Sequence, residues 1–302
     1  PHFDIELPNN NIQILNHIKL YYDSINTLLL KDYENVYSSV AIGNNSWIGD
    51  VPPRQYILFL YALMLTTPRN GHVNILSLTI SGESSTGKTS FFGTPTSALA
   101  KQVVTRQGCG ALAFKDQSQE ILHFADFSLA HIINSPDLFN CFKKMARAEA
   151  SEEKVFATTQ TLDRSRYLFI STNEIAFNHS SNTFHVYSNF EMGLTKSFSS
   201  AEIQAFRVRL AEFTLVTRNP NIDTAIFSKP VTLCVARVAL FHLICDIFVE
   251  NSKPYIIEES PYFFKQLFHG LKNVFVSYPD LFSEADGQKY ALANTIQFPC
   301  NQ

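Results

Sequence analysis

The sequence predicts an α/β fold, a central parallel sheet flanked by helices with a further helical segment at each end of the chain. Three observations predict it. Short apolar runs at 73–80, 121–124 and 167–171 are each followed by polar or small residues, the pattern of buried parallel strands. Helical patterns separate them, notably over 128–150, and such alternation marks a sheet covered by helices on both faces. A glycine-bounded turn at 82–89 joins the first run to a helix starting at Lys88.

Taken in order, residues 11–31 carry Ile12, Leu15, Ile18, Leu20, Ile25 and Leu28 at helical spacing. The stretch 44–53, flanked by Gly43 and containing Gly49 and two prolines, reads as a loop. Residues 54–66 form an apolar helix closed by Thr67 and Pro68. The strand-and-helix region follows, and beyond Leu215 the pattern turns helical again at 222–249 and 261–276. The predicted units are a helical segment at 1–66, suited to oligomerisation, a core at 67–216 and a mainly helical segment at 217–302. The most apolar stretch, 231–249, contains Arg237, His242 and Asp246. It is therefore expected to be a core helix, with no membrane span.

At 302 residues the chain can bury one large core or two modest ones. Charged residues make up 17%, below the usual quarter or so. With 26 Phe, this predicts apolar surface covered by neighbouring subunits. A net charge of −3 excludes a polycation that wraps nucleic acid, so basic groups for such a partner must be concentrated on one surface. The five cysteines, Cys109, Cys141, Cys234, Cys245 and Cys300, form no CxxC pair. A reducing, intracellular compartment is expected, with the thiols as small buried hydrophobes. The chain begins at Pro1 without Met and without a signal-peptide pattern, as a piece of a longer protein would.

Gly82, Glu83, Ser84, Ser85, Thr86, Gly87, Lys88, Thr89 and Ser90 satisfy G-x-x-x-x-G-K-[ST] in full, after an apolar strand and before a helix. Glycines let successive backbone N–H groups turn inward, and the helix N-terminus adds positive potential, which suits a nucleotide's phosphates. Lys88 would reach the β- and γ-phosphates of ATP and Thr89 would ligate Mg²⁺. The strand EILHFAD at 120–126 ends in Asp126, where an acid can hold Mg²⁺ through water. The strand YLFISTNE at 167–174 ends near Asn173, whose amide suits an attacking water, or which starts a turn.

In this order the pieces resemble the superfamily 3 helicases of small DNA viruses, exemplified by parvovirus replication proteins, the papillomavirus replicative helicase and polyomavirus large T antigen. That family compresses its loop, acid strand, hairpin and strand-plus-Asn motifs into roughly a hundred residues, as 82–173 does here. ILFLYAL at 57–63, Pro68, Arg69 and Asn70, and TGKTSFF at 86–92 resemble the papillomavirus lead-in. The resemblance spans about 54–215. It implies an AAA+-like P-loop ATPase in which Lys88 binds phosphate, Thr89 and Asp126 serve Mg²⁺, and Asn173 is the polar sensor. QAFRVRLAEFTL at 204–215 is similar to the family's arginine-then-strand segment, so Arg209, or Arg207 in its place, would reach the ATP site of the adjacent subunit.

Two departures stand out. Ala125 replaces the first of the family's paired acids, leaving Glu83 or Glu174 to polarise water. The hairpin tip falls near 156–158 without Lys or His; Lys154, Arg164 and Arg166 are close enough in sequence to contact phosphates, and Phe156 suits either a sugar or base or the core. The resemblance implies an ATP-driven helicase unwinding viral DNA during replication. Its partners would be single-stranded or forked DNA and copies of itself in a hexamer, inside the host cell and, for a DNA virus, in the nucleus. Alternatives are a related ATPase that acts on RNA or packages a genome, and a ring scaffold that binds ATP with little hydrolysis.

Overall fold

Helices from opposite ends of the chain pack on one another in the computed structural model, which describes residues 11–26, 36–40, 51–67, 77–82, 92–97, 99–103, 121–124, 151–152, 160–161, 167–172, 210–215, 233–255 and 261–299. In chain order the helices are α1 (Asn11–Asn26), α2 (Pro53–Thr66), the short α3 (Thr94–Ser97), α4 (Leu233–Asn251), α5 (Pro261–Ser277) and α6 (Glu284–Gln297). The strands are β1 (Val36–Val40), β2 (Ser77–Gly82), β3 (Ala100–Val103), β4 (Ile121–Phe124), β5 (Ser151–Glu152), β6 (Gln160–Thr161), β7 (Tyr167–Thr172) and β8 (Leu210–Leu215).

α2 begins with Pro53 in its first turn, where a missing N–H costs nothing. Every residue from Tyr56 to Leu65 is buried, so this helix is apolar all round and sits inside the molecule. α4 crosses it with thirteen buried side chains. Arg237, His242 and Asp246 each face a polar group on a neighbouring helix. Arg237 Nε donates to the Leu65 carbonyl at 2.7 Å, satisfying a group left over at the end of α2. His242 Nδ1 faces Asp286 of α6 at 3.6 Å. Asp246 accepts from the Tyr22 hydroxyl of α1 at 2.8 Å and from the Lys289 ammonium of α6. No described helix is long and apolar enough to cross a membrane.

α5 turns Phe263, Phe264, Leu267, Phe268, Leu271 and Val274 inward and leaves Lys265, His269 and Lys272 exposed. Between α2, α4 and α5 lies an aromatic cluster centred on Phe59. Its ring stacks on Phe248 at 5.3 Å and meets Tyr255 and Phe264 edge-on at 5.7 and 5.8 Å. α2 and α5 approach so closely at Gly270 that a Cβ there would lie 2.2 Å from Thr67 Oγ1 and 2.3 Å from Thr66 Oγ1. Those hydroxyls are in use, Thr66 donating to the Ala62 carbonyl and Thr67 to the Gln266 carbonyl of α5. Gly270→Ala is expected to cost about 1–3 kcal/mol by forcing the two helices apart, read as a lower urea midpoint; an unchanged midpoint would show that the contact is slack.

α6 opens with a capping box. Ser283 Oγ accepts from the Asp286 N–H at 3.3 Å, and the Ser283 N–H donates to Asp286 Oδ2 at 2.7 Å. Burial opposes the Asp286 charge, but the Ser283 donors, with His242 and Lys289 alongside, outweigh it and hold the carboxyl below its ordinary value. Burial lowers the His242 pKa below 6.5 even though Asp286 and Asp246 favour its charged form. Below pH 6.5 the unfolded chain therefore binds more protons at His242 than the folded one does, and stability falls as the solution is acidified. Asp286 adds a further loss at lower pH, as its carboxyl titrates below 3.8. Thermal melts between pH 7.5 and 5 should show a downward slope that flattens in His242→Gln. An equal slope in both proteins would exclude His242 as the source.

Six strands form one sheet in the order β1-β8-β2-β7-β4-β3, and β5 pairs with β6 in a separate antiparallel ribbon. β2 is flanked by β7 and β8, both parallel to it, and β4 runs parallel to β7 and β3. β1 is antiparallel on β8 at the edge. The ribbon pairs Ser151 with Thr161 and Glu152 with Gln160, so it brackets the residues where the hairpin tip was expected.

The predicted class, an α/β P-loop fold of AAA+ type built on a central parallel sheet, is corrected by this architecture. Most of the described residues are helical, and the described interior is chiefly helix against helix. Among the side chains whose burial is described, the strands contribute Leu78, Ile80, Ile121, Tyr167 and Phe169 to the apolar core. The strands run for two to six residues and the five long helices for 14–19, and the sheet is mixed. The physical reason lies in α2 and α4, which bury apolar side chains around most of their circumference. Such helices must be covered from several directions, and α1, α5 and α6 pack on them while α2 also meets β1, β2 and β8.

Candidate functional site

The parallel pairings bring three chain exits to one edge of the sheet. β2 ends at Gly82, the first residue of the G-x-x-x-x-G-K-T motif, and Gly82 pairs with Leu215 at the end of β8. Ser81 pairs with Thr172 of β7, and Ile170 of β7 pairs with Phe124, the last residue of β4. Asp126 lies two residues past Phe124, and Asn173 follows Thr172 directly. All three segments therefore leave the sheet at its carboxyl edge, where crevices of parallel sheets hold ligands.

Glu83, Ser84, Ser85, Thr86, Gly87, Lys88, Thr89 and Ser90 lie outside the described residues, as do Asp126, Asn173, Lys154, Phe156, Arg164 and Arg166. Arg207 and Arg209 also lie outside them, but Arg209 immediately precedes Leu210, which pairs with Ser77 at the opposite edge. Five steps of strand, roughly 16 Å, separate that register position from Gly82. Within one chain, β8 thus enters the sheet far from where the phosphate motif leaves it. Among the described residues no three His, Cys, Asp or Glu side chains are grouped to hold a metal ion.

Downstream of the motif the chain is described again at Phe92, which is buried against α2. Its ring meets Tyr61 edge-on at 5.2 Å, and its carbonyl accepts from the Tyr61 hydroxyl at 3.2 Å and from Thr96 Oγ1. The Tyr61 hydroxyl also accepts from Tyr21 of α1 at 3.5 Å. Burial, with Tyr21 beside it, pushes the Tyr61 phenol well above its ordinary pKa, so it remains a donor at any physiological pH. Sequence reasoning missed these tyrosines, because a tyrosine within an apolar helix is indistinguishable from any other core aromatic until its hydroxyl has a partner.

Cys234 and Cys245 are buried, and the Cys234 thiol is pushed up to about 11 by burial despite nearby Arg237. Both act as small apolar side chains; Cys109, Cys141 and Cys300 lie outside the described residues.

No family model and no curated protein matches the chain. Among solved structures, a JCV helicase crystallised with a thiazolopyridine-bearing acetamide aligns with 94% of this chain and 73% of its own, at 11% identity and a TM-score of 0.31. At those values the likeness establishes neither a common fold nor an activity.

Proposed function

We propose that the chain binds and hydrolyses ATP at the carboxyl edge of its sheet and uses the turnover to unwind DNA as a viral helicase. The observation that supports this reading is the exit of β2 into a complete G-x-x-x-x-G-K-T motif, beside the ends of β4 and β7 that lead to Asp126 and Asn173. The residue types suit the roles. Backbone amides of 83–88 cradle phosphate, Lys88 neutralises the β- and γ-phosphates, and Asn173 orients the attacking water. Thr89 and Asp126 would hold Mg²⁺, which when bound draws charge from the phosphate oxygens.

Arg209, with Arg207 as the substitute, acts across a subunit boundary in this proposal, since β8 enters the sheet at the opposite edge from Gly82. That division of labour calls for a ring of copies in which each site is completed by its neighbour, and a hexamer is the ring this reading takes. DNA contacts fall to Lys154, Phe156, Arg164 and Arg166 around the β5–β6 ribbon.

One observation favours a second reading. Ala125 stands where a second acid would polarise water, and a ring that binds ATP without turning it over would tolerate that change. Nucleotide affinity, steady-state hydrolysis with and without DNA, and strand displacement on DNA and RNA forks separate the cases. DNA-stimulated turnover with displacement of DNA forks is the expected result. Tight binding without turnover would establish the scaffold instead, and displacement of RNA forks alone would move the substrate to RNA.

A further inference from the structure

α5 and α6 leave a groove of about 550 Å³ between them, and every residue that lines it is described. Sites for small ligands span roughly 300–1,000 Å³. Lys265, Phe268 and His269 lie within one turn of α5, and Tyr290, Asn294 and Phe298 recur at every fourth position along α6 and its cap. The lining therefore comes from one face of each helix. Its floor is aromatic. Phe268 is buried, with its ring 6.0 Å from that of Tyr290 and 5.7 Å from that of Phe298, which stays 37% exposed. The Tyr290 hydroxyl donates to the Phe268 carbonyl at 3.0 Å. With that proton in use, the groups left to meet a ligand are the Lys265 ammonium, the His269 imidazole and the side-chain amides of Gln266 and Asn294. No carboxylate lines the groove, and among the described residues no acid pairs with Lys265 or His269. A ligand with an aromatic body and an anionic group satisfies both halves of this lining. Rings cover the body, and the ammonium and imidazole N–H meet the charge. A cation or a purely polar molecule would satisfy one half at most.

We propose that the groove between α5 and α6 binds a small aromatic anion, its body against Phe268, Tyr290 and Phe298 and its acidic group at Lys265 and His269. The inference is independent of the nucleotide reading, since it uses nothing from residues 82–90.

The test uses two fluorescent probes, anilinonaphthalene sulfonate and its uncharged counterpart phenylnaphthylamine. The native protein should bind the sulfonate saturably, with one probe per chain. Lys265→Gln combined with His269→Gln should weaken that binding about tenfold and leave the uncharged probe's affinity as it was. Phe298→Ala should weaken both probes, because it removes a wall rather than a charge. All three side chains are exposed, so the variants should fold, and a circular dichroism melt confirms it. Native affinity for the sulfonate in the double variant overturns the proposal, as does an equal loss of both probes there. Binding to the native protein that never saturates overturns it too.

Discussion

Lys88→Ala is expected to lower ATP turnover by on the order of 10²–10³-fold, the usual effect of removing one preorganised charge from a developing anion. The ammonium is the only cationic side chain within 82–90, so the backbone amides alone would face the triphosphate. Its loss should weaken binding and turnover together, since the same charge serves ground state and transition state. The substitution leaves every residue of the described core unchanged, so the melting temperature in the absence of nucleotide should stay within a degree or two of wild type. Steady-state hydrolysis measured beside a circular dichroism melt is the check. Wild-type turnover in a folded Lys88→Ala protein would remove the site assignment altogether.

The second large effect concerns stability. Phe59→Ala should cost about 3–5 kcal/mol, because the ring is fully buried and touches aromatic side chains from α4, α5 and the segment between them. No neighbour can collapse into the space, since Phe248 and Phe264 are committed to other rings as well. Urea denaturation should show a midpoint drop far larger than that of Ser283→Ala, which removes only a cap worth about 1 kcal/mol. A drop smaller than the cap's would mean that the cluster is loosely packed.

Short-range pattern made much of the local structure legible. The apolar runs expected at 73–80, 121–124 and 167–171 fall on strands at 77–82, 121–124 and 167–172, and helices lie at 11–26, 53–66 and 261–277 close to the expected bounds. Polar residues inside the stretch 231–249 marked a core helix, and each now has a partner on another element. The weight of the architecture was misjudged. Periodicity reports each element separately and does not say how much interior it will occupy, so the helical pairing of the two chain ends was invisible. The candidate site was legible as a motif because its chemistry depends on backbone-bending glycines and one lysine in local order. Tyr21, Tyr61 and Phe92 were not legible, because their roles come from meetings across 31 and 40 residues of chain.

The bond between Tyr22 and Asp246 spans 224 residues, and besides β1, β2 and β8, α2 packs chiefly on α4 and α5. During synthesis, α2 is therefore complete long before α4 begins at Leu233, a wait of roughly 10–30 s at typical ribosome speeds. Throughout that interval the faces of α2 that α4 and α5 will cover have no native partner, so the nascent chain is a natural client for holding chaperones. Any product truncated before residue 233 should be retained by them or aggregate, even though it contains every strand of the sheet.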